Sequence, residues 1–187
     1  MSGKLAIHLK KLAKSTAGEE KVKKEFIRRA GEGALTRDEN PLTHFCVYFA
    51  AYDPENQQVF IGHHKKSGLW LFNGGHIDKG ELPLEALERE AKEEWGENVQ
   101  LEGCYTPSLL TITKINNPTK QKCRRHYDIW YFIPLNRSVF APAENLLAKE
   151  FHQTAWKTIE EARDLIKDRN TLTALEKIEE IFRNSRS

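Results

Sequence analysis

The chain has 187 residues, 39% of them apolar, and a formal net charge of only +2. That length suits one domain with an appendage, and the near balance of charge excludes a chain built as a whole to bind polyanions. No apolar run approaches about 18 residues, so no membrane-spanning helix is expected, and the basic N-terminus lacks the apolar segment of a secretory signal.

Residues 1–32 are helix-prone. Leu5, Ile7, Leu9 and Leu12 form a weak apolar stripe, and residues 1–29 hold nine Lys/Arg against three Asp/Glu. The expectation is a basic helical extension over 1–40, solvated on its charged side. Contact with nucleic acid or a membrane surface, or a dimer arm, stays open as its use. Turn-rich residues 31–41 follow. Thr43–Tyr52 is a nearly continuous β-prone run, Pro54-Glu55-Asn56 a turn, and Gln58–His64 a second strand, so the pair is expected as a hairpin. A basic loop, Lys65-Lys66-Ser67-Gly68, leads into a short strand, Leu69–Phe72, and then Asn73-Gly74-Gly75.

From Leu84 onward no Gly or Pro interrupts a helical pattern until Gly96, and Pro83 suits the first helical position. At about 100° per residue, Leu84, Leu87, Ala91 and Trp95 fall on one stripe. Ala86, Glu90, Glu93, Glu94 and Glu97 fall on the neighbouring one. Like charges at this spacing repel, and a cluster of oxygen donors suits a hard cation such as Mg²⁺ or Mn²⁺. Gly75, Glu81, Arg89, Glu90, Ala91, Glu93, Glu94 and Gly96 resemble the Nudix box, G-x5-E-x7-R-E-U-x-E-E-x-G-U. Seven fixed residue types at set spacing would arise by chance roughly once in 10⁸ start sites at about 7% usage each, so the motif is specific. Three positions depart from it. Glu97 replaces the last apolar residue, Asn73 stands where Pro is common, and Leu82 stands where a Ser or Thr cap is common.

Beyond the box, Val99–Tyr105 and Leu109–Ile115 are strand-like, Asn116–Arg125 is a basic turn, and Arg125–Leu135 is the most β-prone run. Ala141–Asn145 is expected as a loop and Glu150–Trp156 as a strand. A helix over Thr158–Lys167 is capped by Thr158. A final helix, Thr171–Phe182, carries Leu172, Leu175, Ile178 and Phe182 on one side. Strands and helices mix without strict alternation, which reads as α+β. The resemblance covers about Pro41 to Lys167. It implies a Nudix-type α/β/α sandwich with a mixed β-sheet, so 41–187 is expected as the Nudix domain with C-terminal helices.

The resemblance implies a hydrolase: a Mg²⁺- or Mn²⁺-dependent pyrophosphohydrolase that cleaves a diphosphate linkage with metal-activated water. The substrate would be a nucleoside diphosphate derivative or a nucleoside triphosphate. Matched residue by residue, Glu90 and Glu94 are implied as metal ligands, Glu93 as a shared ligand or water-activating group, and the Gly74 carbonyl as a backbone ligand. Arg89 and Glu81 are implied to lock the turn against the helix. A further carboxylate would come from Glu150, in an E-x5-W arrangement, with Asp128 as its competitor. A nucleobase plate could come from Trp70, Phe72, Tyr127 or Trp130, phosphate contacts from Lys65, Lys66, Arg124 or Arg125, and a phosphate or loop contact from His76. His63, His64, His76 and His126 follow no standard zinc spacing, and zinc is not expected. Cys46, Cys104 and Cys123 are odd in number and read as free thiols of a reducing cytoplasm. An isomerase reading would need a catalytic Cys–Glu pair, and none of the three sits in such a pattern. A binding reading stays open: a Nudix protein that senses a nucleotide or processes RNA ends, with the basic N-terminus as the nucleic-acid contact. A homodimer is expected by analogy with the family.

Overall fold

A computed structural model describes residues 2–97, 101, 106–115 and 122–185. The expected strand over Val99–Tyr105 and most of the turn over Asn116–Arg125 lie outside them. In chain order the elements are α1 (Ser2–Ser15), α2 (Glu20–Ala30), β1 (Thr43–Asp53), β2 (Gln58–His64), β3 (Trp70–Leu71), β4 (Asn73–His76), α3 (Pro83–Trp95), β5 (Leu109–Lys114), β6 (Arg125–Pro134), α4 (Glu144–Glu150), β7 (Phe151–Thr158), α5 (Ile159–Leu165) and α6 (Arg169–Asn184). The fold is α+β. Among the described residues, seven strands form one sheet in the order β3-β2-β1-β6-β5, with β4 pairing with β1 and β7 with β2. No helix among the described residues is long and apolar enough to cross a membrane.

The chain divides into two compact units, and β1, α3 and β6 each run from one into the other. The first comprises Met1–Tyr48, Gly74–Glu88 and Tyr105–Tyr131. Here α1 buries Leu5, Leu9 and Leu12, spaced to share one helical face. Ile7 does not join that stripe: it is 71% exposed, because its place in the helical turn points it outward. Phe26 of α2 meets Phe45 and Tyr127 edge-on, at centroid distances of 5.5 and 5.4 Å. Arg29, counted in the sequence among surface charges, is only 3% exposed. Its guanidinium donates to the carbonyls of Gly33, Ala34 and Thr43 at 2.8, 2.7 and 2.8 Å, which offsets the cost of burying it. Strands β5 and β6 pair antiparallel, with Thr111 opposite Asp128 and Thr113 opposite His126.

The second unit comprises Phe49–Asn73, Arg89–Cys104 and Phe132–Ser187. The hairpin is present: Tyr52 lies opposite Val59 and Asp53 opposite Gln58. Asp53 closes the turn by accepting from the Glu55 and Asn56 amides at 2.9 and 3.0 Å. Strand β7 runs antiparallel to β2. A Cβ on Gly62 would lie 2.3 Å from the Phe151 ring, so the close approach there requires glycine. Trp95, fully buried, packs edge-on against Phe49 and Phe140. The Thr158 cap forms as a complete capping box with Glu161. The strand expected over Glu150–Trp156 is β7, which starts at Phe151, and the loop expected over Ala141–Asn145 gives way at Glu144 to the helix α4, which Glu150 ends. ENLLAKE is a single short helix whose N-cap, Ala143, gives no side-chain hydrogen bond, and so it carries no cap signal.

Candidate active site

The glycine turn belongs to the first unit. At Gly74 a Cβ would stand 2.5 Å from the Val47 carbonyl oxygen and 2.7 Å from the Tyr48 ring, so β4 can approach β1 only with glycine there. The turn that follows is tied by its own carboxylate. Glu81 accepts from the Asp78 amide at 2.9 Å, and the Glu81 amide donates to the Asp78 carbonyl at 3.1 Å. Gly80 takes a φ of +101° inside it. Helix α3 opens at Pro83, as the sequence predicts. Its missing Ser or Thr cap is replaced by Glu85, whose carboxylate accepts from the Leu82 amide at 2.7 Å.

The C-terminal half of α3 belongs to the second unit and carries the acidic stripe. The helix period sets Glu90 and Glu94 one turn apart. The three carboxylates differ in setting. Glu94 is 6% exposed, and the Glu90 and Glu93 side chains are 13% and 58% exposed. Arg89 stands 2.8 Å from Glu90 and 3.5 Å from Glu93. Buried Asn73, 1% exposed, donates its side-chain amide to Glu94 Oε2. Ala86, placed by periodicity on this stripe, is fully buried, and Leu84 only partly so. The apolar face is therefore rotated toward Ala86, Leu87, Ala91 and Trp95. Gly96, at φ +91°, ends the helix, its amide donating to the Lys92 carbonyl at 3.0 Å.

This donor set fits a hard divalent ion. It is all oxygen, and its most buried carboxylate is held by a neutral amide. Asn73, a departure from the family pattern in the sequence, thereby becomes a positioning residue for Glu94.

The remaining candidates fall into separate groups. In the second unit, Glu150 Oε2 lies 3.2 Å from Lys66 Nζ and 3.6 Å from His64 Nε2. Lys65 Nζ donates to the Ala148 carbonyl, and its amide donates to that of Glu150 at 2.8 Å. Burial pushes the His64 imidazolium down, and Glu150 opposes that. Half-buried Trp70 stacks on His63 at 5.6 Å and 25°. Phe72 is 2% exposed, Tyr127 0% and Trp130 1%. Of the four aromatic candidates, Trp70 alone keeps an accessible face.

In the first unit, Asp128 is fully buried and accepts from the hydroxyls of Thr111 and Thr113 at 3.0 and 2.6 Å. Arg125 stands 3.8 Å from Glu25, and exposed Arg124 uses its amide on the Leu42 carbonyl at 2.8 Å. His76 is half-buried beside Arg37, its Nδ1 3.4 Å from the guanidinium.

A sequence profile of the NUDIX domain matches residues 42–175, and the chain belongs to the NUDIX family. An RNA pyrophosphohydrolase of Bartonella bacilliformis is similar, 32% identical over 102 residues that make up 50% of this chain and 60% of that protein. The chain thus spans less than two thirds of that relative's length. Among solved structures, the E. coli dihydroneopterin triphosphate pyrophosphohydrolase matches with a TM-score of 0.57 at 18% identity, over 71% of this chain and 92% of that one. A NUDIX-family hydrolase from Clostridium perfringens matches with a TM-score of 0.54 at 24% identity, over 74% and 97%. These likenesses give the fold.

Proposed function

We propose that the protein is a Mg²⁺-dependent pyrophosphohydrolase that cleaves a diphosphate linkage in a nucleoside diphosphate derivative or a nucleoside triphosphate. Residues 41–187 form the catalytic domain in this reading, and residues 1–40 are its helical extension. The observation that carries it is the graded carboxylate set on one helix face, with Glu94 buried and held by Asn73. Glu90 and Glu94 would hold the ion. Bound there, Mg²⁺ supplies charge neutralisation and lowers the pKa of water. Glu93, the most exposed of the three carboxylates, accepts the proton of the attacking water. Arg89 holds Glu90 and Glu93 in place between turnovers. Glu81 shapes the turn by binding the Asp78 amide. Trp70 offers the plate for a base, and Lys65 and Lys66 offer cations for phosphate oxygens.

The test is product release from nucleoside diphosphate sugars, dinucleoside polyphosphates, nicotinamide dinucleotides and nucleoside triphosphates. It is run with Mg²⁺ and with Mn²⁺, beside Glu94→Gln. Turnover by the wild type alone supports the reading, and no turnover by folded protein across the panel refutes it. The name of the B. bacilliformis relative, an RNA pyrophosphohydrolase, favours one further substrate, RNA. Its cleavage, weakened by salt and by deleting residues 1–32, would move the assignment to RNA ends.

A further inference from the structure

The first unit gathers a second set of metal-ligating groups that the box does not use. His44 on β1, His76 at the end of β4, Cys123 just before β6 and His126 on β6 each offer one ligand atom, and all four atoms lie within 4.8 Å of one another. His44 and His126 face each other at 4.9 Å between ring centroids, His44 and His76 at 4.9 Å, and His76 and His126 at 5.3 Å. We propose that His44, His76, Cys123 and His126 form a four-coordinate site for a transition metal of the zinc class, which pins β1, β4 and the start of β6 to one another. Zinc is not expected from His63, His64, His76 and His126 taken as one group. The fold instead separates His63 and His64, which lie on β2, and supplies His44 and Cys123.

Three observations carry the site. The first is spacing. Tetrahedral zinc with bonds of about 2.0–2.3 Å sets its donors roughly 3.4–3.7 Å apart, and Cys123 Sγ already stands 3.7 Å from His44 Nε2. A contraction of about 1 Å would bring the widest pair into range. The second is the tautomer of His44. Its Nδ1 lies 2.9 Å from the Asn40 carbonyl oxygen, which can only accept, so Nδ1 carries the proton and Nε2 presents its lone pair to the cluster. This outer hydrogen bond is the device that orients metal-binding histidines. The third is an unmet need: His126 Nε2 is buried without a hydrogen-bond partner among the described residues, on a side chain 8% exposed.

Nitrogen and sulfur donors favour zinc over Mg²⁺, which takes oxygen. Cys123 must lose its thiol proton to solvent as the metal–sulfur bond forms, against the upward push of burial on its pKa. Arg37, the cation beside His76, opposes an incoming ion, but its side chain is exposed and can withdraw into solvent. His76 is the partly exposed member and marks the way in. With four protein ligands no position stays open for water, which makes the site structural rather than catalytic.

Cobalt(II) substitution tests this in the full-length protein. One equivalent should give the intense visible bands of tetrahedral cobalt and a thiolate charge-transfer band. Both should persist in Glu94→Gln and in Cys46→Ser and vanish in Cys123→Ser. Cobalt at the box carboxylates would show neither, so failure here is distinguishable from failure of the hydrolase reading. In parallel, the wild type is alkylated with and without one equivalent of Zn²⁺ and mapped by mass spectrometry. Cys123 should be protected at least tenfold, a readout that does not depend on a variant folding. Folded wild type with no thiolate band and unchanged Cys123 alkylation would overturn the site. A band that follows Cys46 would overturn it in favour of Cys46, His126 and Asp128, which also converge.

Discussion

Glu90, Glu93 and Glu94 on one side, and His44, His76, Cys123 and His126 on the other, are two donor sets assembled in opposite ways. The carboxylates come from one helix, so the helical period alone brings them together. They are hard, graded from exposed to buried, and kept in place by Arg89 and Asn73. The histidine and cysteine groups come from two strands, a strand end and a loop, and two that touch, His44 and Cys123, are 79 positions apart in sequence. They are nitrogen and sulfur donors, mostly buried, and one of them, His126 Nε2, has no hydrogen-bond partner among the described residues. A local set can tolerate charge because one face of it meets solvent. A set built by the fold has to be neutral until an ion arrives, because unpaired charge in the interior is costly. The difference teaches where a metal would serve turnover and where it would serve architecture.

The sharpest way to break this division is Glu94→Gln. It keeps the shape and the Asn73 contact but removes the buried charge. Turnover should fall by more than the roughly 100-fold upper end seen for outer partners of a metal, while the midpoint of thermal unfolding changes little. Retained activity in steady-state assays of folded protein would take Glu94 out of the ligand set. Next in size is the metal's effect on stability. With zinc at about a hundred times its dissociation constant, linkage gives about 2.7 kcal/mol of stabilisation. The unfolding temperature of the wild type should therefore drop on adding chelator in Mg²⁺-free buffer, and that of Cys123→Ser should not. An equal drop in both proteins would erase the distinction between the two sets.

The box was legible because its signal is local. Pro83, Gly96, the apolar stripe and the carboxylates occupy one short stretch, and the Thr158 cap was readable for the same reason. What the sequence concealed depends on three dimensions. The ring of Tyr127 looked available for stacking, but it meets Phe26 of an N-terminal helix and is fully buried. Phe72 and Trp130 are lost to the core in the same way. Arg29 looked like part of a basic surface, yet three backbone carbonyls hold it inside. Helix α4 went unannounced because ENLLAKE has no capping side chain before it. His44 carried no hint at all, since its partners lie on other elements.

Asn73→Ala sharpens the comparison from the oxygen side. If the amide serves to orient Glu94, its loss should cost about 10- to 100-fold in kcat/KM, with Asn73→Asp no better, because a carboxylate beside Glu94 repels it. The metal concentration needed for half-maximal activity should rise in parallel. A loss of stability with activity intact would make Asn73 a packing residue only.

The smallest effect concerns a carboxylate that shares a unit with the histidine cluster and is used for packing rather than for metal. Glu25 on α2 accepts from Arg28 at 2.7 Å and from the Tyr127 hydroxyl at 2.7 Å, with Arg125 3.8 Å away. The Arg28 hydrogen bond is the largest influence, opposed by burial and helped by Tyr127. Together they hold the carboxyl at about 2, against an ordinary 4.5. Since the folded value lies below the unfolded one, the stabilisation is complete above about pH 4.5 and disappears as pH falls toward 2. Solvent screening keeps it below about 1 kcal/mol. The gap in unfolding temperature between wild type and Glu25→Gln should therefore be small and constant at neutral pH and close across that acidic window. A gap unchanged down to pH 2 would mean that Glu25 anchors α2 to Tyr127 through its shape and hydrogen bonds alone. Its charge would then contribute nothing, in contrast to that of Glu94.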